Sequence, residues 1–252
     1  MVERMTRPVD YVFLHGGGQA GWVWQETIAA LRQQTDGKFA RTLALDAPGC
    51  GEKRGMNTAS LDIDAVVTDL IADISAHCSG DVILVGHSQA GTILPRIVER
   101  RPDLFRRLVY VSALAPLPGQ STMQLMGTGM HGSNPDEVGW PFDPRTVDPG
   151  KRFALMFCND MSAAETSAFL AKVGKDNWPA QTMTAADWRY GHLHGVPASY
   201  VICLRDGILP VPWQEIFAAR LMVQRKVHID AGHQVMNTRP QALAEALRFE
   251  AS

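Results

Sequence analysis

One short segment limits the fold of this chain more than any other. The apolar run 82–85 leads directly into the hexapeptide GHSQAG at residues 86–91, and the helical pattern of residues 92–100 follows. A strand that reverses so sharply into a helix needs small residues on both sides of the residue at its tip, because a bulky neighbour would clash. We therefore expect a strand, a tight turn with Ser88 exposed at the tip, and a helix that packs back on the strand.

This turn departs at one position from the G-x-S-x-G pattern in which a serine occupies such a tip. Ala90 stands in place of the second glycine, and Gly91 follows it. A tight crossing of helix and strand tolerates a single methyl group. The departure therefore leaves the prediction of an exposed serine in place.

Apolar runs alternate with helical patterns along the first half of the chain and again near its end. The strand-like runs are residues 9–15, 41–46, 81–86, 108–113, 200–204 and 226–229, and the helical patterns are residues 22–34, 62–77, 89–100 and 240–250. Alternation of this kind is typical of a mostly parallel sheet covered by helices, and continuous apolar runs suit strands buried on both faces. The sequence predicts an α/β fold with a doubly wound sheet.

Residues 116–197 interrupt this alternation. Glycine, proline and methionine become frequent there, and the strand pattern is lost until about residue 198. We expect a core formed by residues 1–115 and 198–252, with a helical cap, or lid, inserted between them as residues 116–197. Loops above a rigid scaffold usually shape the binding pocket, so the cap is expected to set specificity.

Charge and cysteine content disfavour several classes of function. Lys and Arg total 24 against 26 for Asp and Glu, so no basic surplus indicates a nucleic acid or an anionic membrane as partner. The four cysteines form no C-x-x-C pair, so neither a zinc site nor a dithiol motif is indicated. Residues 1–10 lack the apolar core of a signal peptide. No stretch approaches the roughly 20 apolar residues of a membrane span. We expect a cytoplasmic monomer or homodimer that acts on a small molecule.

A serine hydroxyl is a weak nucleophile, so a histidine must take its proton and a carboxylate must orient that histidine. When the serine lies on a strand-to-helix turn, the acid and then the histidine follow it in the chain. His233 lies in a glycine-containing loop just after a late strand, and Asp206 closely follows the run 200–204. We assign His233 as the base and Asp206 as the acid, with Asp230 as the alternative acid. His228 alternates within its strand, which predicts a packed core histidine.

Acyl transfer also needs two backbone N–H groups directed at the negative oxygen of the tetrahedral intermediate. Gln89, the residue after the serine, supplies one of them. The other is expected from the loop HGGG at residues 15–18, which follows the first strand. We assign it to Gly17, because glycines let the backbone approach the substrate oxygen without interference from side chains.

The same loop offers a rival hypothesis. Residues 16–21 spell GGGQAG, a literal G-x-G-x-x-G between a strand and a helix, and Asp46 ends the next strand. This combination is typical of dinucleotide-binding oxidoreductases. However, Trp22 and Trp24 would crowd a helix start that receives a pyrophosphate, and the motif leaves the serine, the acid and the histidine unexplained. The hydrolase hypothesis is therefore preferred.

With these motifs the chain resembles the α/β-hydrolase superfamily, in particular the branch that contains plant methyl esterases, hydroxynitrile lyases and bacterial relatives. The segments that carry the resemblance are FLHG at 13–16, GWVW at 21–24, GHSQAG at 86–91, LVYVSA at 108–113, FCND at 157–160, and Asp206 with the pair GH at 232–233. The resemblance implies the α/β-hydrolase fold over nearly the whole chain, and catalysis by a serine, a histidine and an acid without a metal or organic cofactor.

Two positions distinguish hydrolysis from cyanohydrin cleavage within that branch. The lyases carry a threonine next to the histidine of the first loop and a lysine just after the catalytic histidine, whereas this chain has Gly16 and Gln234. A serine nucleophile also excludes the aspartate chemistry of dehalogenase relatives. We therefore expect hydrolysis, with hydroxynitrile lyase-like C–C cleavage as the alternative.

The expected substrate is a carboxyl ester or carbamate of a small, apolar or aromatic molecule, cleaved through an acyl- or carbamoyl-enzyme. Methionines and aromatic residues of the cap would line a pocket for such a molecule. The histidines that follow Trp188 lack the cysteines or carboxylates of a metal site, so no metal is expected. The candidate substrate-binding residues are Gly16, Met126, Trp140, Phe142, Phe157 and Trp188.

Overall fold

The structure, a computed structural model, describes residues 9–36, 39, 41–78 and 80–251. Most of segment 1–10, which the sequence predicts to lack a signal peptide, lies outside the described residues. Within the described part of the chain, parallel strands form one six-stranded sheet in the order β2-β1-β3-β4-β5-β6. The strands are β1 (Asp10–Leu14), β2 (Arg41–Leu45), β3 (Val82–His87), β4 (Phe105–Val111), β5 (Ala198–Cys203) and β6 (Arg225–Ile229).

Both faces of this sheet contact apolar side chains. Alternate residues of a strand point to opposite faces, so Val82 and Leu84 of β3 join one apolar cluster while Ile83 and Val85 join the other. The chain first adds β2 on one side of β1 and then β3 on the other, so the order of the strands reverses at β1. The α/β fold with a doubly wound parallel sheet, predicted from the sequence, is confirmed.

Helices supply the outer layers of both clusters. Helices α1 and α9 contribute to one cluster, and α2, α3 and α7 contribute to the other. Within the described residues, no helix is long and apolar enough to cross a membrane. The helices are α1 (Gln25–Gln34), α2 (Ile63–His77), α3 (Leu94–Arg100), α4 (Thr122–Met126), α5 (Pro149–Phe157), α6 (Ala163–Leu170), α7 (Val211–Arg220), α8 (Val235–Thr238) and α9 (Pro240–Phe249).

Several helices differ from the sequence prediction. The helix expected at 22–34 starts with the 3-10 turn Gly21–Trp24, and the one expected at 89–100 starts with the 3-10 turn Ser88–Thr92. Pro95 has no N–H group to donate, so it lies in the first turn of α3 rather than inside a longer helix. Helix α7 was not predicted, although Pro212 in its first turn is a typical start signal.

His228 also corrects an expectation. It lies on β6, the edge strand of the sheet, and its side chain is about half exposed, with Nε2 3.6 Å from Glu215. The prediction of a packed core histidine was wrong because one face of this edge strand is open to solvent.

Residues 116–197 contribute no strand to the sheet. Within this segment, Met130 and Trp140 form an isolated β-bridge. The segment instead contacts the loops at the carboxyl ends of the strands. The backbone N–H of Gly174 donates to the Gly18 carbonyl after β1 at 2.9 Å. Contacts of the same kind reach the turn after β3 and the loops after β5 and β6, where parallel strands present their ligand-binding ends.

The turn after β3 generates a test of the fold. A Cβ atom at Gly91 would lie 2.2 Å from the backbone oxygen of Leu114, in the segment after β4, so the backbone of one of these two segments would have to shift. We expect Gly91→Ala to lower the free energy of unfolding by about 3 kcal/mol, as overpacking does, measured by urea denaturation. Gly55→Ala is the control, because no described residue beyond its two chain neighbours has an atom within 4 Å of the added methyl group. Equal effects of both substitutions would contradict the close packing of the turn.

Candidate active site

Ser88 stands at the tip of the turn that follows β3. Its φ angle is 54°, a left-handed conformation that costs a residue with a side chain on the order of 1 kcal/mol or more. Tertiary contacts hold the turn: the Ser88 carbonyl accepts a hydrogen bond from Leu114 N at 2.9 Å. A Cβ atom at Gly16 would come within 2.9 Å of the Ser88 Cβ. Glycine at this position therefore lets the first loop approach the serine closely.

Asp206 and His233 form a fully buried pair after β5 and β6. Asp206 Oδ2 lies 2.6 Å from His233 Nδ1, and neither side chain is exposed. A neutral imidazole that donates from Nδ1 presents a lone pair at Nε2. This Nε2 makes no hydrogen bond with any described residue, Ser88 included. The imidazole is thus oriented to accept a proton at Nε2.

The second carboxylate oxygen of Asp206 is held by the backbone. Oδ1 accepts the N–H groups of Ile208 at 2.7 Å and Leu209 at 2.8 Å. These bonds fix the plane of the carboxylate, and with it the direction from which Oδ2 meets the imidazole. The loop after β5 therefore determines the orientation of the acid.

Ser112 is a member of the site that the sequence analysis missed. It follows β4 directly, has a φ angle of 39°, and donates its hydroxyl proton to Asp206 Oδ2. The same oxygen accepts from His233, whose Nδ1 lies 3.5 Å from the Ser112 hydroxyl. A serine at the end of a strand carries no signal of this role in the sequence, whereas in the structure it supplies a donor to the carboxylate in the loop after the neighbouring strand β5.

The first loop, after β1, positions Gly17, one of the two expected N–H donors. His15 contributes through its ring: Nδ1 lies 2.8 Å from the Gly16 carbonyl, and Nε2 accepts from Ala47 N at 3.2 Å. These partners define a neutral ring with its proton on Nδ1, and burial lowers the pKa of His15 in the same direction. Because C=O and N–H point in opposite directions across a trans peptide, holding the Gly16 carbonyl also fixes the direction of the Gly17 N–H.

His87 contacts both the backbone and the ring of His233. Its Nε2 donates to the His233 carbonyl at 3.0 Å, and the two ring centroids lie 4.5 Å apart. Burial is the main cause that holds the pKa of His87 well below its usual value, and the neighbouring His233 acts in the same direction. A neutral His87 therefore positions the loop of the base without adding a charge beside it.

The segment FCND at 157–160 joins the acid and base loops. Asn159 Nδ2 donates to the Arg205 carbonyl at 2.6 Å, and Asp160 Oδ2 accepts the Gly232 N–H at 2.8 Å. A Cβ atom at Gly232 would lie 2.3 Å from Asn159 Oδ1, so the contact requires a glycine before the histidine. Residues 116–197 thus hold both loops that carry Asp206 and His233.

Two other carboxylates that entered the sequence hypotheses are engaged elsewhere. Asp230, the alternative acid, is exposed and pairs with Arg205 at 2.7 Å. Asp46, which the dinucleotide hypothesis would place on a ribose, accepts the backbone N–H groups of Gly21 at 2.7 Å and Glu52 at 2.9 Å. Neither carboxylate contacts the buried pair.

A cavity of about 320 Å³ opens beside Ser88. None of the residues that line it is ionisable. Among the described residues, no group of three or more histidine, cysteine, aspartate or glutamate side chains is placed to hold a metal ion. The lining consists of Gly17, Gly18, Ser88, Gln89, Leu114, Thr122, Met126, Trp140, Phe153, Met156, Phe157, Trp178, Met183, Ile208 and Leu209.

Three of the expected substrate-binding residues line this cavity: Met126, Trp140 and Phe157. The structure places Gly16, Phe142 and Trp188 outside this lining. Phe142 lies behind Trp140, with 6.2 Å between the ring centroids. The indole of Trp188 donates to the Gln120 carbonyl at 2.7 Å and has the Arg96 guanidinium 5.3 Å from its ring.

Trp178 and Met183 line the cavity and were not among the candidates from the sequence. They lie in a part of the chain without regular periodicity, so no pattern indicates which face they present. The indole of Trp178 donates to the Thr182 hydroxyl at 2.7 Å, which fixes the ring.

Comparisons with known proteins show similarity along most of the chain. The family described as "Alpha/beta hydrolase family" matches residues 11–246. A carbendazim hydrolyzing esterase of Nocardioides sp. (strain SG-4G) is 28% identical over 250 residues, covering 94% of this chain and 98% of that protein. The probable esterase PIR7A of Oryza sativa subsp. indica is 33% identical over 111 residues, covering 44% of this chain and 41% of that protein.

A solved structure shows the same fold. The crystal structure of a pyrethroid hydrolase from Sphingobium faniae JZ-2 superimposes with a TM-score of 0.76, at 21% identity, covering 96% of this chain and 97% of that chain. The parallel sheet and the segment above its carboxyl end therefore occur together in a protein of known structure.

The two buried supporting imidazoles generate a pH prediction. Burial lowers the pKa values of His15 and His87, whereas in the unfolded chain both take up protons below about pH 6.5. The unfolded state then binds more protons, so stability falls with decreasing pH, by up to about 1.4 kcal/mol per pH unit for each histidine. Urea denaturation from about pH 7.5 to about pH 5 should show a shallower decline for His87→Gln than for the wild type. Parallel declines would contradict a neutral His87.

Proposed function

Since the chain belongs to the alpha/beta hydrolase family and has esterases among its relatives, we propose that it is a serine hydrolase of small, neutral, apolar or aromatic molecules. It cleaves a carboxyl ester or a carbamate through an acyl- or carbamoyl-enzyme. One observation carries the proposal: in the fully buried Asp206–His233 pair, 2.6 Å apart, His233 Nε2 has no hydrogen-bond partner among the described residues, near the cavity that Ser88 lines.

The proposed reaction has two steps. Ser88 Oγ attacks the carbonyl carbon while its proton moves to His233 Nε2, and the N–H groups of Gly17 and Gln89 bind the oxyanion that forms. The collapse of this intermediate expels the alcohol, which takes the proton from His233. Water, deprotonated by the same imidazole, then attacks the acyl- or carbamoyl-enzyme and frees the serine. Asp206 stabilises the imidazolium in both steps.

The lining of the cavity supports a neutral substrate. A charged group that enters an apolar cavity loses its hydration, and without a charged partner that loss is not compensated. The described lining offers aromatic rings, methionine side chains and aliphatic residues instead. A flat aromatic or compact apolar group matches such a surface, and the flexible thioethers of Met126, Met156 and Met183 adapt to its outline.

We retain residues 116–197 as the cap of this enzyme. Most of the apolar lining comes from this segment, whereas Ser88, Asp206 and His233 come from the residues before and after it. The lyase alternative finds no support in the lining, since it contains no cationic residue and Gln234 is fully buried.

Labelling tests the nucleophile. A fluorophosphonate should modify Ser88, because phosphonylation uses the same attack and the same proton transfer as ester cleavage, and peptide mass spectrometry identifies the modified residue. Ser88→Ala should lose the label and more than about 10³-fold of aryl-ester turnover, while its circular dichroism spectrum matches that of the wild type. Modification at another residue, or none in the wild type, would contradict the proposal.

Ser112 allows a second test. Ser112→Ala removes one hydrogen bond to the carboxylate of Asp206, and a hydrogen bond to a charged group is worth about 1.5–3 kcal/mol. We expect kcat for an aryl ester to fall about tenfold to a hundredfold, with KM little changed because Ser112 does not line the cavity.

The matched control is Ser199→Ala, since this buried hydroxyl on β5 has no hydrogen-bond partner among the described residues. It should leave kcat within about twofold of the wild type. A rise in KM without a fall in kcat for Ser112→Ala would show that Ser112 serves the pocket rather than the acid.

A further inference from the structure

The side chain of Gln89 spans the cavity between the turn and the cap. The residue is only 7% exposed, and its Nε2 lies 3.2 Å from Thr182 Oγ1 and 2.8 Å from Met183 Sδ. Both Gln89 and Met183 line the cavity. An apolar side chain of the same length would fill this space equally well, so the function of the carboxamide depends on where its two polar ends point.

Neighbouring hydrogen bonds determine the orientation of this carboxamide. Thr182 has one hydroxyl proton, which it donates to the Pro179 carbonyl at 2.6 Å, and its oxygen already accepts from Trp178 Nε1 at 2.7 Å. Towards Gln89, Thr182 can therefore only accept a hydrogen bond, and the thioether of Met183 is also only an acceptor. The amide nitrogen must face these two groups, and the amide oxygen must face away from them.

Gln89 Oε1 consequently lies against the first loop. A Cβ atom at Gly17 would be 2.5 Å from this oxygen, so a glycine is needed there. No described residue donates to Oε1, and Oε1 is not among the buried polar atoms of the described residues that lack a hydrogen-bond partner. It is therefore an accessible acceptor, held in a fixed direction, beside the residue expected to donate to the oxyanion.

We propose that Gln89 Oε1 accepts a hydrogen bond from a substrate N–H next to the scissile carbonyl. The preferred substrates are then carbamates that carry an N–H group, R–NH–C(O)–OR′, over the corresponding esters. This inference rests on the proposed function, because it names the substrate class of the same site.

The preference depends on whether the bound substrate donates a hydrogen bond to Gln89 Oε1. An N–H group satisfies the acceptor and places positive partial charge between it and the oxyanion. An ester or an N-methylated carbamate displaces water from Oε1 without replacing the hydrogen bond, which leaves a desolvated acceptor unpaired. Sites built to hydrogen-bond a substrate group reject analogues that lack the group far more strongly than apolar pockets do.

Three probes of nearly the same shape test the proposal: methyl N-phenylcarbamate, methyl N-methyl-N-phenylcarbamate and methyl phenylacetate, in which CH₂ replaces N–H. Their kcat/KM values are measured for the wild type and for Gln89→Met, which keeps the length of the side chain and removes the acceptor. The ratio of the N–H carbamate to each other probe should fall about tenfold to a hundredfold in the variant. The use of a ratio cancels any shift of the backbone N–H of residue 89.

A second variant acts on the orientation rather than on the acceptor. Thr182→Val removes the hydroxyl that holds the amide nitrogen, so the carboxamide can rotate and the same ratio should fall. Thr184→Val is the matched control, since the Thr184 hydroxyl donates only to the Gln181 carbonyl of its own turn, at 3.0 Å. It should leave the ratio unchanged.

The outcomes separate the inference from the proposed function. Equal losses on all three probes in Gln89→Met, or a wild type that cleaves the ester but not the N–H carbamate, would overturn the inference and leave the serine hydrolase in place. A wild type that no fluorophosphonate labels at Ser88 would overturn the proposed function itself.

Discussion

The buried carboxylate of Asp206 is the group on which the rest of the site depends. Removing an ionised carboxylate from water costs several kcal/mol unless its oxygens are paired. Here the donors are the backbone N–H groups of Ile208 and Leu209, the Ser112 hydroxyl and the His233 ring. They come from the ends of three adjacent strands, β4, β5 and β6. The acid is therefore accommodated only when these parallel strands are in register, which couples formation of the sheet to formation of the site.

A second constraint couples the site to the segment above it. Asn159 and Asp160 bind the loops after β5 and β6, the same loops that carry the acid and the base. The aromatic ring of Phe157, two residues earlier, lies 5.8 Å from the ring of His233 and lines the cavity. Residues that shape the pocket and residues that hold the acid–base pair thus belong to one short stretch. Changes of specificity in this stretch must preserve the two hydrogen bonds.

The sequence could predict a site residue where the residues adjacent to it in the chain form a recognisable pattern. The turn at Ser88 follows from a strand, small residues and a helix that adjoin in the chain, and His233 follows from a glycine loop after a strand. Ser112 carries no such signal, because a serine at the end of a strand is common and its partner is 94 residues away. The same reason hides the side-chain contact of Gln89, whose partner Thr182 is 93 residues away.

For residues 116–197, the sequence does not predict which side chains line the cavity. Their composition indicates an apolar surface but gives no period that assigns a residue to one face. Trp178 lines the cavity because its indole is fixed by Thr182, whereas Trp188 is turned away by its bond to the Gln120 carbonyl and by Arg96. Both distinctions depend on tertiary partners. The number of aromatic residues in this segment therefore predicts an apolar or aromatic substrate, but it does not predict which of these residues contact the substrate.

The groups around His233 favour a positive charge on this one imidazole during the proposed reaction. During the proposed reaction this imidazole becomes a cation, and a second cation nearby would raise the barrier. Two other imidazoles lie at the site, but burial lowers the pKa of His15 and holds that of His87 well below its usual value. Each instead uses a ring N–H to hold a backbone carbonyl, that of Gly16 or that of His233. The neutral histidines thus position the loop after β1 and the proposed base, while the negative charge of Asp206 acts on His233 alone.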